Sequence, residues 1–142
     1  MNNDIEFLNY IYQNAHMGVI GIEHIENNIK DDKLRNLILN QKDDYQIICD
    51  ECMRIFKEYH HEEKDISSLA KIGSYMSAKF NLLMDDSSSN IAKMMIEGSN
   101  KGIIEITEKI HAYVGKNKEL INLANKLLAT ENVNLEELKK FL

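Results

Sequence analysis

The chain has 142 residues, a formal charge of −6, and neither proline nor tryptophan. That length suffices for one domain, residues 1–142, with a buried core, and the lack of proline favours long uninterrupted helices over turn-dense β architecture. The acidic balance, with lysines scattered among Asp and Glu, argues against nucleic acid, because neutralising phosphates requires a clustered basic surface.

Apolar residues at helical spacing predict a first helix over Asp4–Ile29, with Phe7, Ile11, Asn14, Ala15, Gly18, Ile22, Ile25 and Ile29 on one stripe. Asn28 and the Asp31-Asp32 pair mark a break, and the Asp pair suits the cap of the next helix. That second helix is expected over Lys33–His61, its stripe carrying Leu34, Leu37, Ile38, Gln41, Tyr45, Ile48, Cys52, Ile55 and Tyr59. A shorter amphipathic segment follows over Ser67–Met84, then a polar break, Asp85–Asn90, rich in capping residues. A third long helix is expected over Ser89–Val114, with Gly115 as its stop. The last spans Leu120–Leu142.

The four long helices are each about 24 to 30 residues, roughly 36–45 Å. Short joints make the first pair and the last pair antiparallel hairpins. The long middle connection, with its own short helix, can travel the length of a bundle and leave the second and third helices parallel.

The last helix carries the most informative anomaly. Its apolar stripe runs through Leu120, Leu123, Ala124, Leu127, Leu138 and Leu142, yet Glu131 and Asn134 fall on the same face. A buried carboxylate is costly unless something pairs with it.

Several local patterns carry a family resemblance. They are Leu8-Asn9-Tyr10-Ile11 and Gly18-x-x-Gly21 in the first helix, and Met95-Ile96-Glu97-Gly98-Ser99-Asn100-Lys101-Gly102-Ile103-Ile104 in the third. In the last helix the pattern is Leu127-Leu128-Ala-Thr-Glu131-x-x-Asn134-x-x-x-Leu138. With the order of helix lengths, these make the chain resemble the ferritin-like superfamily, in particular a small bacterial branch of unknown function. The resemblance implies an all-α, ferritin-like four-helix bundle with a short extra helix in the long crossover. It also implies where a di-iron site would lie, with a Glu on the first and third helices and Glu-x-x-His on the second and fourth. At those levels this chain has Gly18, then Tyr45 and Ile48, then Ser99 and Gly102, and only Glu131 keeps its carboxylate. One carboxylate, one phenol and some amides do not hold two iron ions. No metal, catalytic or cofactor-binding residue is therefore expected at that level. A buried polar cluster of Asn14, Gln41, Tyr45, Glu131 and Asn134 is expected instead, the neighbours satisfying Glu131 by hydrogen bonds.

Weaker metal candidates remain. Glu58-x-x-His61 and Glu108-x-x-His111 match the Glu-x-x-His pattern, but Glu58, His61 and Glu108 point away from the apolar centre and His111 sits at its edge; Glu131 itself is the other candidate. If the second and third helices are parallel, both motifs gather near one end, beside Glu6 and Glu119. Cys49-x-x-Cys52 lies mid-helix, where the redox version of the motif does not, so both cysteines are read as small core residues.

The first helix also has a second apolar face, Tyr10, Met17 and Gly21. The crossover helix or a second copy of the chain would cover it, and self-association through this face is expected. No apolar run approaches the ~20 residues that cross a bilayer, and Met1-Asn-Asn-Asp-Ile-Glu6 lacks the regions of a signal peptide, so a cytoplasmic location is expected. Richness in Asn, Lys and Ile suggests an AT-rich bacterial genome. The expected role is a structural or protein-interaction module of a spore-coat-like kind, non-catalytic and without cofactor. The alternative is a divergent metal-binding protein that handles peroxide with iron or manganese. A small-ligand binder using the central polar cluster is a third reading.

Overall fold

A computed structural model describes residues 2–60, 78, 79, 81, 85 and 87–142, and among them the chain is all-helical with no strand. Four helices carry the fold: α1 Asn2–Ile25, α2 Asp32–Glu58, α3 Ser88–Ala112 and α4 Lys118–Lys139. The segment over Ser67–Met84 lies outside the described residues except for 78, 79 and 81, which are helical.

The helix ends follow from specific side chains. Helix α1 stops at Ile25 rather than Ile29, and a 3-10 turn, Glu26–Asn28, tightens the chain. Arg35 of α2 donates to the Glu26 carbonyl at 3.0 Å and Lys42 to its carboxylate at 2.7 Å, so the next helix satisfies this turn. Ile29 then enters the core from extended backbone. Asp31 caps α2, its Oδ1 accepting from the Leu34 amide at 2.9 Å, and this partner holds its carboxyl below the usual range. Helix α2 ends at Glu58, short of the expected His61, with His60 in the left-handed region at φ 52°.

Ser87 caps α3 by accepting from the Asn90 amide at 3.3 Å. The third helix ends at Ala112 with Tyr113 as its C-cap in extended backbone, so Gly115 lies beyond the helix and has no positive φ. Asn117 caps α4, which therefore begins before Leu120, and Oδ1 accepts from the Glu119 and Leu120 amides. Leu142 lies past the end of α4 and is 63% exposed, off the apolar stripe.

Contacts fix the directions. Asp4 meets Tyr59, Tyr12 meets Phe56 and Gly18 meets Tyr45, so α1 and α2 are antiparallel. Gly102 meets Glu131 while Tyr113 meets Asn117, so α3 and α4 are antiparallel too. Between hairpins, Phe7 stacks on Tyr113 and Asn14 bonds Gly102, while Arg54 reaches Glu119 and Gln41 reaches Asn134. Thus α1 runs against α3 and α2 against α4, which leaves α2 parallel to α3 across the centre. The core is aliphatic, with Leu8, Ile11, Ile22, Leu34, Ile38, Ile48, Ile106, Leu127 and Leu138 fully buried. Among the described residues no helix is long and apolar enough to cross a membrane.

Candidate functional site

At mid-height two glycines of α1 and α3 make room for two large side chains of α2 and α4. A Cβ on Gly18 would lie 2.6 Å from the Tyr45 ring, and a Cβ on Gly102 would lie 2.6 Å from Glu131 Oε1. Tyr45 and Glu131 therefore occupy the space that side chains at 18 and 102 would otherwise fill. The expected level of Gly18, Tyr45, Gly102 and Glu131 is thus the level the packing brings together.

All five members of the expected polar cluster are buried. Asn14 Nδ2 donates to the Gly102 carbonyl at 3.1 Å. Since a carbonyl only accepts, this bond fixes the orientation of the amide and turns Oδ1 away from Gly102. Gln41 Nε2 donates to the Asn134 carbonyl at 3.2 Å. Each of these amides gives an N–H to a backbone carbonyl and neither bonds Glu131, which corrects the expectation that they satisfy it. Glu131 is 3% exposed, and its Oε2, like Asn14 Oδ1, is buried without a hydrogen-bond partner among the described residues.

The electrostatics follow. Burial pushes the Glu131 carboxyl up to about 8, and the nearby Glu105 carboxylate adds to the effect. Burial, with Glu131 close by, also raises the Tyr45 phenol well above its ordinary value. Near neutral pH the centre therefore favours a protonated Glu131 beside a neutral phenol.

A cavity of about 470 Å³ opens onto this centre. Its floor includes Asn14, Gln41, Tyr45, Ser99 and Glu131, and Met17, Ile22, Met94 and Met95 supply apolar wall. Gly18, Gly21, Gly98 and Gly102 also line it, while Lys79, Glu97, Lys101 and Glu105 stand along it, Lys79 paired with Glu97 at 3.1 Å. A second hollow of about 320 Å³ shares Asn14, Met17 and Glu105. Asn134 is not part of the lining; it stands behind Gln41.

The other sequence candidates sit elsewhere. Glu58, Glu108 and His111 are exposed, and His61 lies outside the described residues. Glu58 pairs with Arg54, which also holds Glu51 and Glu119, so at that end an arginine gathers the carboxylates. Among the described residues no group of three or more His, Cys, Asp or Glu is placed to hold a metal ion. Cys49 and Cys52 are free and buried, and burial pushes the Cys49 thiol up to about 12, far from a reactive thiolate. On the second face of α1, Tyr10 is exposed beneath the Lys109 ammonium, 3.7 Å from the ring centroid, whereas Met17 and Gly21 line the central cavity.

Two features escaped the sequence reading. Glu105 acts on Glu131, a role its place one turn after Gly102 would have suggested. At the Arg54 end, Asp4 accepts from Tyr113 at 2.5 Å and from Tyr59 at 3.1 Å, and Asn117 Nδ2 donates to Tyr59 at 2.7 Å. No local pattern announces that network, because its members are far apart in the chain.

Comparison with models of known families, with curated proteins and with solved structures finds no match.

Proposed function

We propose that this chain is a ferritin-like bundle whose centre binds a small organic molecule in place of a di-iron site. The connectivity supports the fold reading, since a long connection joins two parallel helices between antiparallel hairpins. A di-iron centre does not fit the residues at its level. Gly18, Tyr45, Ile48, Ser99 and Gly102 supply none of the needed carboxylates and imidazoles, and Glu131 with Glu105 alone cannot balance two ions.

One observation carries the ligand reading: a buried carboxyl oxygen without a partner, on a residue that lines a cavity of about 470 Å³. A purely structural bundle gains nothing from such a group, because a buried polar atom without a partner costs about 1–3 kcal/mol. Pockets of this volume, mostly apolar with a few convergent polar groups, are the usual form of small-molecule sites.

The test is a fragment screen followed by amide NMR on the full chain. Hits are expected to move the amide signals of Gly18, Gly98, Ser99 and Gly102 together. Hits that shift only residues away from the cavity would remove the reading. So would stoichiometric iron or manganese, in protein purified without added metal, that Glu131→Gln eliminates.

A further inference from the structure

We infer that the central cavity takes a protonated amine carried on a slim apolar body, its ammonium seated between Glu131 and Asn14. The inference rests on the ligand-binding reading above and names the ligand class. Both residues that carry an unpartnered oxygen line the cavity and meet Gly102: the Glu131 carboxylate lies against it, and Asn14 bonds its carbonyl.

The two unpartnered oxygens call for donors: Asn14 Oδ1 can only accept, and so can Glu131 once ionised. Asn14 and Gln41 each give one N–H to a backbone carbonyl. A ligand that satisfies both oxygens donates more than one hydrogen bond, which an ammonium with three donors does.

Charge points the same way. Glu131 and Glu105 face each other's field, and among the described residues neither forms an ion pair with Lys, Arg or His. Of the two lysines along the lining, Lys79 is held by Glu97. A carboxyl in such a place is stabilised by an incoming cation that also accepts its geometry. A bare divalent ion is a poorer match, because it demands four to eight ligands and no group of three is gathered there.

The walls specify the rest of the molecule. Met17, Met94 and Met95 are flexible thioethers that adapt to an alkyl or aryl chain, and the glycines beside them add no side-chain bulk to the lining. An anionic head group would meet the Glu105 carboxylate and is disfavoured by repulsion.

Titration calorimetry on the full chain with three probes of equal chain length, n-hexylamine, 1-hexanol and hexanoate, tests this. The amine is expected to bind at one site, the alcohol about tenfold more weakly or worse, and hexanoate not measurably. At pH 7 amine binding should also release a proton from Glu131, seen as a dependence of the heat on buffer ionisation, with Glu105 and Tyr45 the other titratable groups facing it. The alcohol should release none. Glu131→Gln should lower amine affinity about tenfold or more and erase the preference over the alcohol. Gly98→Leu, placed where a Cβ meets nothing within 4 Å, should keep the fold and block every probe.

Equal or tighter binding of the alcohol, or an amine affinity that Glu131→Gln leaves intact, overturns the ammonium while the pocket stands. Absence of binding by all three probes, or binding that Gly98→Leu does not weaken, overturns the pocket itself.

Discussion

Gly18 and Gly98 are one residue type in two opposite situations. Gly18 sits where a Cβ would press into the Tyr45 ring at 2.6 Å, and that ring is wedged in the core; around Gly98 a Cβ meets nothing within 4 Å. Alanine raises helix propensity at either position by about 1 kcal/mol. At 18 that gain is set against overpacking of about 1–3 kcal/mol. Gly18→Ala is therefore expected to lose up to about 2 kcal/mol and Gly98→Ala to gain about 0.5–1 kcal/mol. Urea unfolding of the two variants checks this, and equal effects would refute the packing account. Gly102→Ala differs again, because the atom it meets is the end of a flexible carboxylate that can swing aside.

Among the elements, the α3–α4 corner is the best defended. Asn117 caps α4 with its oxygen and ties Tyr59 of the other hairpin with its nitrogen, while its amide donates to Tyr113 at 3.2 Å. Loss of the cap alone costs about 1 kcal/mol, and the lost link to Tyr59 adds about 1 kcal/mol. Asn117→Ala is expected to destabilise by about 2 kcal/mol. Paired with Tyr59→Phe in a double-mutant cycle, it should show a coupling of about 0.5–1 kcal/mol. Strict additivity would mean that the two hairpins do not communicate through this bond. The Arg54 cluster nearby deserves no such weight, since its members are about half exposed and solvent screens them.

On the scale of the whole molecule, one group makes stability depend on pH in an unusual direction. The Glu131 carboxyl titrates near its ordinary value of 4.5 when unfolded and at about 8 when folded. Its contribution is complete below pH 4.5, where it is protonated in both states. As pH rises through this window the unfolded chain ionises first, so the folded state loses stability until about pH 8. The fall is of the order of a few kcal/mol. Asp31, held below its ordinary range by its capping bond to Leu34, and Asp85, held there by its bonds to Ser87 and Asn90, act in the opposite sense and only at more acidic pH. Glu131→Gln is expected to flatten the wild-type decline between pH 4.5 and 8 and to be the more stable protein above it. Denaturation at a series of pH values measures this, and parallel profiles for the two proteins would show that Glu131 ionises freely.

The helical class, the long stripes and the inward placement of Glu131 were legible in the sequence, because each depends on residues a few positions apart on one helix. So was the level shared by Gly18, Tyr45, Ser99, Gly102 and Glu131, since helix length and hairpin joints set it. Helix ends were read less well. Arg35 satisfying Glu26 and Asn117 starting α4 depend on which side chain reaches an end, and periodicity does not report that. The sequence by itself thus determined that a carboxyl would be buried among amides at mid-height. Only the tertiary structure decided that Asn14 and Gln41 turn to backbone carbonyls, leaving Glu131 Oε2 and Asn14 Oδ1 without partners. The physical reason is that Asn14 meets Gly102 across 88 residues and Gln41 meets Asn134 across 93, through side-chain geometry that exists only once the hairpins have packed.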